Sequence, residues 1–291
     1  MSNGNSGSLA AGIVLMMCAG FLFATLDSLA KQLTYVLPVV QIVWARYVVQ
    51  TTLMTGYVTY SSGTRFLHTR RPVLQVLRGL ALLSASLCMY LSLPHIPIAD
   101  ATALVFFSPM VVTLLSVVFL KEKIGLHRIL AIGVGLAGVM LIIEPGFGST
   151  GLYHLLPLAA AVINAIYLML TRQLAGAEES AATQFHTTAV GTVVLSFFVY
   201  SVWVPPSATT VALLVALGAM AAAGHFCVVR AFSHAPASLL SPYLYCQVIF
   251  AALYSMFWFG DQPRPMMVAG AALLMASGLY IWWRERLRAV E

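Results

Sequence analysis

The sequence predicts an all-α integral membrane protein of ten transmembrane helices, arranged as two inverted five-helix repeats. Three observations support this prediction. The chain of 291 residues is 60% hydrophobic and 8% charged, with a mean hydropathy of +0.91, which excludes an ordinary soluble domain. Apolar runs of about twenty residues recur along the whole chain. A degraded copy of one segment returns 139 residues later.

Each apolar run is long enough to cross a hydrocarbon core of about 30 Å at about 1.5 Å per residue. The ten runs cover residues 8–30, 38–60, 73–94, 97–120, 128–145, 150–172, 182–203, 208–231, 236–259 and 264–284. The first run lacks a basic leader and a small-residue cleavage pattern, so we expect a retained helix rather than a signal peptide. The connections are too short to hold a separate catalytic or receptor domain, and function is therefore expected within the membrane.

An internal repeat indicates how the runs are arranged. Without a gap, it aligns His95 with His234, Pro97 with Pro236 and Glu122 with Asp261. The repeat divides the chain into residues 1–146 and 147–291, with five runs in each part. Because five is odd, the second half must enter the membrane upside down relative to the first. Inverted halves of this kind give two pseudo-equivalent gates around a midplane site, the geometry of alternating access.

Basic residues predict the orientation. Residues on the side of the termini are Arg65, Arg70, Arg71, Arg78, Lys121, Lys123, Arg128, Arg172, Arg230, Arg284, Arg286 and Arg288. The opposite side has only Lys31 and Arg264, and Arg46 falls inside the second run. The positive-inside rule then predicts cytoplasmic termini in a bacterial-type inner membrane. We interpret the net charge of +6 as orientation and contact with lipid headgroups, not as nucleic-acid binding.

Several motifs give the chain a family resemblance. They are Gly20-Phe21-Leu22-Phe23-Ala24, Trp44-Ala45-Arg46-Tyr47, Ala101-Thr102-Ala103-Leu104-Val105-Phe106-Phe107-Ser108-Pro109, Phe119-Leu120-Lys121-Glu122-Lys123-Ile124 and Gly133-Val134-Gly135-Leu136-Ala137-Gly138-Val139. Through them nearly the whole chain resembles the EamA-type, ten-span proteins of the drug/metabolite transporter superfamily. The likeness is weaker in the second half, where Phe259-Gly260-Asp261-Gln262 replaces the acidic and basic stretch. It implies a carrier of small metabolites, often an exporter of amino acids and related compounds, and in some members an importer of vitamins or nucleoside-type molecules.

Ionisable residues within a span are costly, so each one is a candidate site residue. Arg46 lies about nine residues into the second run, about 13 Å deep. It either binds an anionic group of the substrate or forms a structural bridge with Asp27. Asp27 either pairs with Lys31 at i+4 or faces a cavity, where it binds a substrate ammonium or carries a coupling proton.

His225 in the eighth run is a third candidate, either in a proton path or hydrogen-bonded to a neighbouring helix. Tyr243 and Gln247 are expected on one face of the ninth run, with Tyr245 turned away. Asn164 and Tyr167 lie near mid-depth in the sixth run. These aromatic and amide side chains either line a substrate site or join helices.

Pro109 in the fourth run breaks the helical hydrogen-bond ladder and frees carbonyl groups. No nucleotide-binding loop is present, because the segment from Gly146 to Gly151 lacks the required lysine, so ATP does not drive the carrier directly. Histidine and cysteine spacings predict no metal site, and no cofactor is expected.

These observations together predict a secondary transporter, not an enzyme. The expected cargo is a small polar or zwitterionic metabolite, an amino acid or a derivative of one, moved by export. An uptake carrier for a vitamin or a nucleoside-like metabolite is the alternative, and a membrane-embedded enzyme is a more remote one. The sequence leaves open the oligomeric state, and whether transport is coupled to a proton or to a counter-substrate.

Overall fold

A computed structural model describes residues 3–120, 125–144, 151–174 and 177–288 of the chain. Glu122 and the lysines beside it lie outside the described residues. Within the described ranges all regular structure is helical. The α-helices are α1 (Asn3–Thr34), α2 (Val39–Ser62), α3 (Pro72–Ser92), α4 (Ile98–Val105), α5 (Ser108–Leu120), α6 (Leu126–Ile143), α7 (Gly151–Leu174), α8 (Ser180–Val199), α9 (Ala208–His234), α10 (Ala237–Leu240), α11 (Cys246–Phe257) and α12 (Pro265–Arg288). Short 3-10 segments cover Arg65–Leu67, Tyr200–Val202 and Ser241–Tyr245.

Eight helices of the described part are long and apolar enough to cross a membrane, with α4 and α5 counted as one. The other two predicted spans correspond to α2 and to α10 with α11. Helix α2 has 24 residues but contains the polar residues Gln41, Arg46 and Gln50, which lower its mean hydropathy. All three are buried. The other span is divided into helices of 4 and 12 residues joined by a 3-10 segment. That these two also cross the membrane stays a prediction.

Hydrogen bonds at each end of the bundle define its two faces. The terminal face holds residues 63–71 and 177–179. There Glu178 Oε1 accepts from Thr69 Oγ1 at 2.9 Å and from the backbone N–H groups of Arg70 and Arg71. Burial raises the pKa of Glu178, but these hydrogen bonds outweigh it and hold the pKa below its usual value. The opposite face holds the ends of α1 and α6 and the start of α12, so α1 begins and α12 ends at the terminal face.

The main packing contacts join the two halves of the chain. Helix α1 packs against α9 and α11, and α7 packs against α3 and against α4 with α5. Helix α2 packs on α8 and α9, α3 also on α8, and α6 on α12. Helices α1, α2 and α3 of the first half are equivalent to α7, α8 and α9 of the second. If each helix is replaced by its equivalent, the α1–α9 contact becomes the α7–α3 contact, and the α2–α9 contact becomes the α8–α3 contact. Each half thus buries its apolar faces mainly against the other, and the halves form one interlocked bundle.

Glycines allow the closest of these approaches. A Cβ atom added to Gly138 of α6 would lie 2.7 Å from the carbonyl oxygen of Gly270 in α12. Small residues at such crossings let the two helix backbones touch. Gly133, on the same helix, has no neighbouring atom within 4 Å of such a Cβ. The α6–α12 crossing therefore depends on Gly138, and Gly133 provides a matched control.

Replacing Gly138 by Ala should lower the free energy of unfolding by about 1–3 kcal/mol, because a backbone carbonyl must move to admit the methyl group. Thermal unfolding of the detergent-purified protein measures this change. Gly133→Ala should leave the melting temperature unchanged or raise it slightly, since alanine favours the helix. Equal effects of the two substitutions would contradict the proposed close contact.

Candidate functional site

Arg46 lies in the first half of α2 and is 9% exposed. Its Nη1 donates to the Tyr90 hydroxyl at 3.2 Å, and the guanidinium carbon lies 5.5 Å from the centre of the Tyr90 ring. The Arg46 Nε is buried and has no hydrogen-bond partner among the described residues. A buried guanidinium with an unused donor is able to bind an anionic group.

Asp27 of α1 is also buried, and its Oδ2 accepts a hydrogen bond from Gln247 Nε2 at 3.4 Å. The interpretation that Asp27 pairs with Lys31 is wrong. Lys31 instead donates to the Ile96 carbonyl at 3.0 Å and lies 3.6 Å from Asp261 Oδ2, because its long side chain extends toward the opposite face. Asp27 and Arg46 interact electrostatically, while each forms its hydrogen bond with another residue.

Arg78 is a buried charge that the sequence analysis assigned to a loop on the side of the termini. The structure corrects this: Arg78 lies in α3 and is 4% exposed. Its Nε donates to Thr171 Oγ1 at 2.7 Å and its Nη2 to the Tyr167 hydroxyl at 2.8 Å. Its Nη1 donates to the Thr183 carbonyl at 2.7 Å and to Thr187 Oγ1. The predicted run 73–94 already contained Arg78, and that was the signal which could have identified it.

A cavity of about 690 Å³ lies between α2, α8 and α9. Its lining extends from Gln50 at mid-depth to Arg230, which lies four residues before α9 ends at the terminal face. His225 also lines it, with the Phe23 ring edge-on at 5.2 Å, and interacts electrostatically with both Arg46 and Arg78. The cavity therefore leads from the terminal face toward the two buried guanidinium groups.

Ion pairs join helix ends at the opposite face. Arg264 Nη2 donates to Asp100 Oδ2 at 2.7 Å, and Arg264 Nη1 donates to Glu144 Oε2 at 2.8 Å. His154 Nε2 lies 3.2 Å from the same Asp100 oxygen. The space beside these pairs and Asp261 is only about 20 Å³, room for about one water molecule. No sequence pattern identified this network, although Lys31 and Arg264 were the two cations assigned to that side.

The remaining candidate site residues lie at separate places in the structure. Asn164 donates to Ser108 Oγ at 3.1 Å, beside the interruption between α4 and α5 that precedes Pro109. Pro109 occupies the first turn of α5, where its missing N–H costs no helical bond. Tyr167 holds Arg78, as described above.

The expectation that Tyr243 and Gln247 share a face is wrong. Residues Ser241–Tyr245 form a 3-10 helix, which has 3.0 residues per turn, so a spacing of four no longer aligns side chains. Tyr243 is 39% exposed, whereas Gln247 reaches Asp27. Tyr245 packs its ring against Phe106, with centroids 4.8 Å apart.

Comparison with known proteins identifies the family. The model described as the EamA-like transporter family matches residues 10–144 and again residues 151–283. The chain belongs to the EamA-like transporter family. This match confirms the resemblance inferred from the sequence motifs. It also confirms that the protein is a transporter and not an enzyme, and that it is a multi-pass membrane protein.

The relatives of this EamA-like transporter are named for different cargoes. The pseudopaline exporter CntI of Pseudomonas aeruginosa is 28% identical over 92% of this chain and 95% of its own length. An S-adenosylmethionine uptake transporter of Rickettsia bellii is 27% identical over 89% of each chain. A riboflavin transporter of Vibrio cholerae is 26% identical over 95% of each chain. These relatives support a transporter of small metabolites.

A solved crystal structure has the same fold. It superimposes with a TM-score of 0.63 over 94% of this chain and 96% of its own, at 17% sequence identity. At that identity the likeness concerns the fold alone.

Replacing Thr187 by Val should lower the free energy of unfolding by about 1.5–3 kcal/mol, since it removes a hydroxyl acceptor from the buried Arg78. Thermal unfolding in detergent measures this loss. Thr188→Val is the matched control, because the Thr188 hydroxyl bonds to carbonyl groups of its own helix. A loss as large for Thr188→Val would contradict a specific role for the Arg78 hydrogen bonds.

Proposed function

We propose that this EamA-like protein is a secondary transporter that moves a small polar metabolite with an anionic group, an amino acid or a derivative of one, by alternating access. The buried Arg46 Nε, without a partner among the described residues, is the observation on which the proposal rests. It lies one helical turn beyond Gln50, which lines the large cavity. A carboxylate that enters this cavity from the terminal face would meet the unused donor of Arg46.

Alternating access requires that, in one conformational state, the transporter is open at one end and closed at the other. The two ends of this bundle differ in that way. A cavity of about 690 Å³ reaches the terminal half, while ion pairs on the opposite face leave about 20 Å³. The exchange symmetry of the helix contacts supports two inverted repeats, residues 1–146 and 147–291, with all ten predicted runs crossing the membrane. In the second state the ion pairs of the opposite face would open and the cavity at the terminal face would close.

Cytoplasmic termini follow from the distribution of basic residues. Moving Arg78 from the loops into the bundle leaves eleven basic residues on the terminal side against two on the other, so the bias persists. The large cavity then faces the cytoplasm, where an exporter collects its cargo. The likeness to a pseudopaline exporter supports export.

Asp27 and Gln247 complete the proposed binding site. They meet between α1 and α11, and Asp27 interacts electrostatically with Arg46. Asp27 would bind an ammonium group of the cargo or carry a coupling proton. Uptake of a vitamin or nucleoside-like metabolite is the alternative function, supported by the likeness to riboflavin and S-adenosylmethionine transporters.

Arg46→Ala should strongly weaken ligand binding and transport while folded protein remains in the membrane. Loss of a buried charge-assisted contact costs about 2 kcal/mol or more, which weakens binding about thirtyfold or more. Thermal stabilisation against amino acids, polyamines, nucleosides and vitamins identifies ligands of the unchanged protein, and transport into membrane vesicles confirms them. Arg172→Ala, which removes an exposed arginine, is the control. A variant without Arg46 that still binds and transports normally would refute this site.

Arg264→Gln should open the opposite face, because Asp100 and Glu144 lose their shared cation. Two charge-assisted hydrogen bonds of about 1.5–3 kcal/mol each shift the population of open molecules about tenfold or more. Labelling by a membrane-impermeant maleimide reports this at Ala252→Cys, which lines the small space there, in a chain whose four native cysteines are replaced by serine. Arg172→Gln is the control, and an unchanged labelling rate in Arg264→Gln would show that these ion pairs do not hold the face closed.

A further inference from the structure

The charges around the inner end of the large cavity do not balance. Two buried guanidinium groups lie beside its lining. Arg46 is four residues before the cavity-lining Gln50 on α2, and Arg78 donates to Thr183 and Thr187 of α8, on either side of the cavity-lining Gln184. Asp27 is the one carboxylate that interacts with Arg46 among the described residues. With Asp27 ionised the three groups sum to one positive charge, and with Asp27 protonated they sum to two.

Arg78 is the source of the excess positive charge beside the cavity. Its described hydrogen-bond partners are a carbonyl, two threonine hydroxyls and the Tyr167 hydroxyl, and none of them is a carboxylate. These acceptors satisfy the N–H groups but leave the charge without a counter-ion. Of the two carboxylates just before α8, Glu178 is held by Thr69 and the adjacent backbone at the terminal face, and Glu179 is exposed. The field of Arg78 therefore extends into the low-dielectric interior toward the cavity.

We propose that the cavity selects cargo with net negative charge, an amino-acid-type metabolite with at least one more carboxylate than ammonium groups. The inference rests on the proposed transport function and narrows its substrate class. Arg46 contacts a carboxylate directly, whereas Arg78 acts as a specificity-determining residue through its field and does not touch the cargo. A simple zwitterion balances Arg46 and Asp27 but leaves Arg78 uncompensated, and an uncharged vitamin compensates neither arginine.

The size of the effect follows from Coulomb's law. One unit charge acting over about 10 Å at an effective dielectric of about 20 changes the affinity for a monovalent anion by roughly tenfold to twentyfold. Because this interaction depends on charge and not on contact geometry, lysine at position 78 should preserve it. Loss of the hydrogen bonds alone would weaken charged and uncharged ligands equally.

The test compares pairs of probes that differ in one negative charge: L-glutamate with L-glutamine, and L-aspartate with L-asparagine. Isothermal titration with the purified protein gives the ratio of Kd values within each pair. We expect the anionic member to bind at least about tenfold more tightly in at least one pair. Equal or tighter binding of the neutral member in every pair, or no binding of any anionic probe at 10 mM, roughly the weakest affinity of interest, overturns the proposal.

Two substitutions of Arg78 distinguish an electrostatic effect on the cargo from a structural role. Arg78→Gln should reduce the anionic preference about tenfold, while Arg78→Lys should retain it. If both variants bind the two probes of a pair more weakly by the same factor, Arg78 has a structural role and the proposal is overturned. Gln50→Glu, which adds a carboxylate to the cavity wall, should also abolish the preference and does not require Arg78 to change. Arg172→Gln, which removes an exposed positive charge, should leave the preference intact.

The results also distinguish this inference from the transport proposal. If neutral probes bind at least as tightly as their anionic partners and lose that binding in Arg46→Ala, the transporter site stays in place and the anionic selectivity is refuted. Anionic binding that persists in Arg46→Ala would refute the Arg46 site and still permit selectivity by the Arg78 field.

Discussion

A charged side chain in an apolar layer requires a partner, and in this protein the partner comes almost always from the other half of the chain. Arg78 of the first half binds groups on α7 and α8 of the second. Lys31 meets Asp261, and Arg264 meets Asp100 and Glu144. Since each half alone would bury uncompensated charge, these contacts hold the halves in one arrangement and determine which positions tolerate charge.

Arg46 is the exception to this rule. The partner of its hydrogen bond, Tyr90, belongs to the same half, and its Nε has no partner among the described residues. A cation that is not needed to join the halves is available for a ligand, and it lies one turn beyond the end of the cavity. The same rule explains why Arg78, with its donors occupied by neutral groups, acts on the cavity through its charge alone.

The distribution of these contacts also bears on movement. On the opposite face the ion pairs are direct and share partners, since Arg264 binds both Asp100 and Glu144, so opening that face requires breaking several charge-assisted bonds together. On the terminal face, between α2, α8 and α9, the lining is mostly small or apolar, with Gln50, Gln184, His225 and Arg230 as polar members. Helix packing through glycine, as at Gly138 and Gly270, keeps α6 and α12 in close contact.

Local patterns in the sequence determined the membrane class, the family and the candidacy of Arg46 and Asp27, because hydropathy and a charge within an apolar run are properties of short segments. Only the tertiary structure decided the partners. It placed Arg78 inside the bundle, gave Lys31 to Asp261 and not to Asp27, and separated Tyr243 from Gln247 by winding residues 241–245 as a 3-10 helix. The first two outcomes depend on side chains more than 80 residues apart meeting across the interface between the halves, and no local pattern contains that distance.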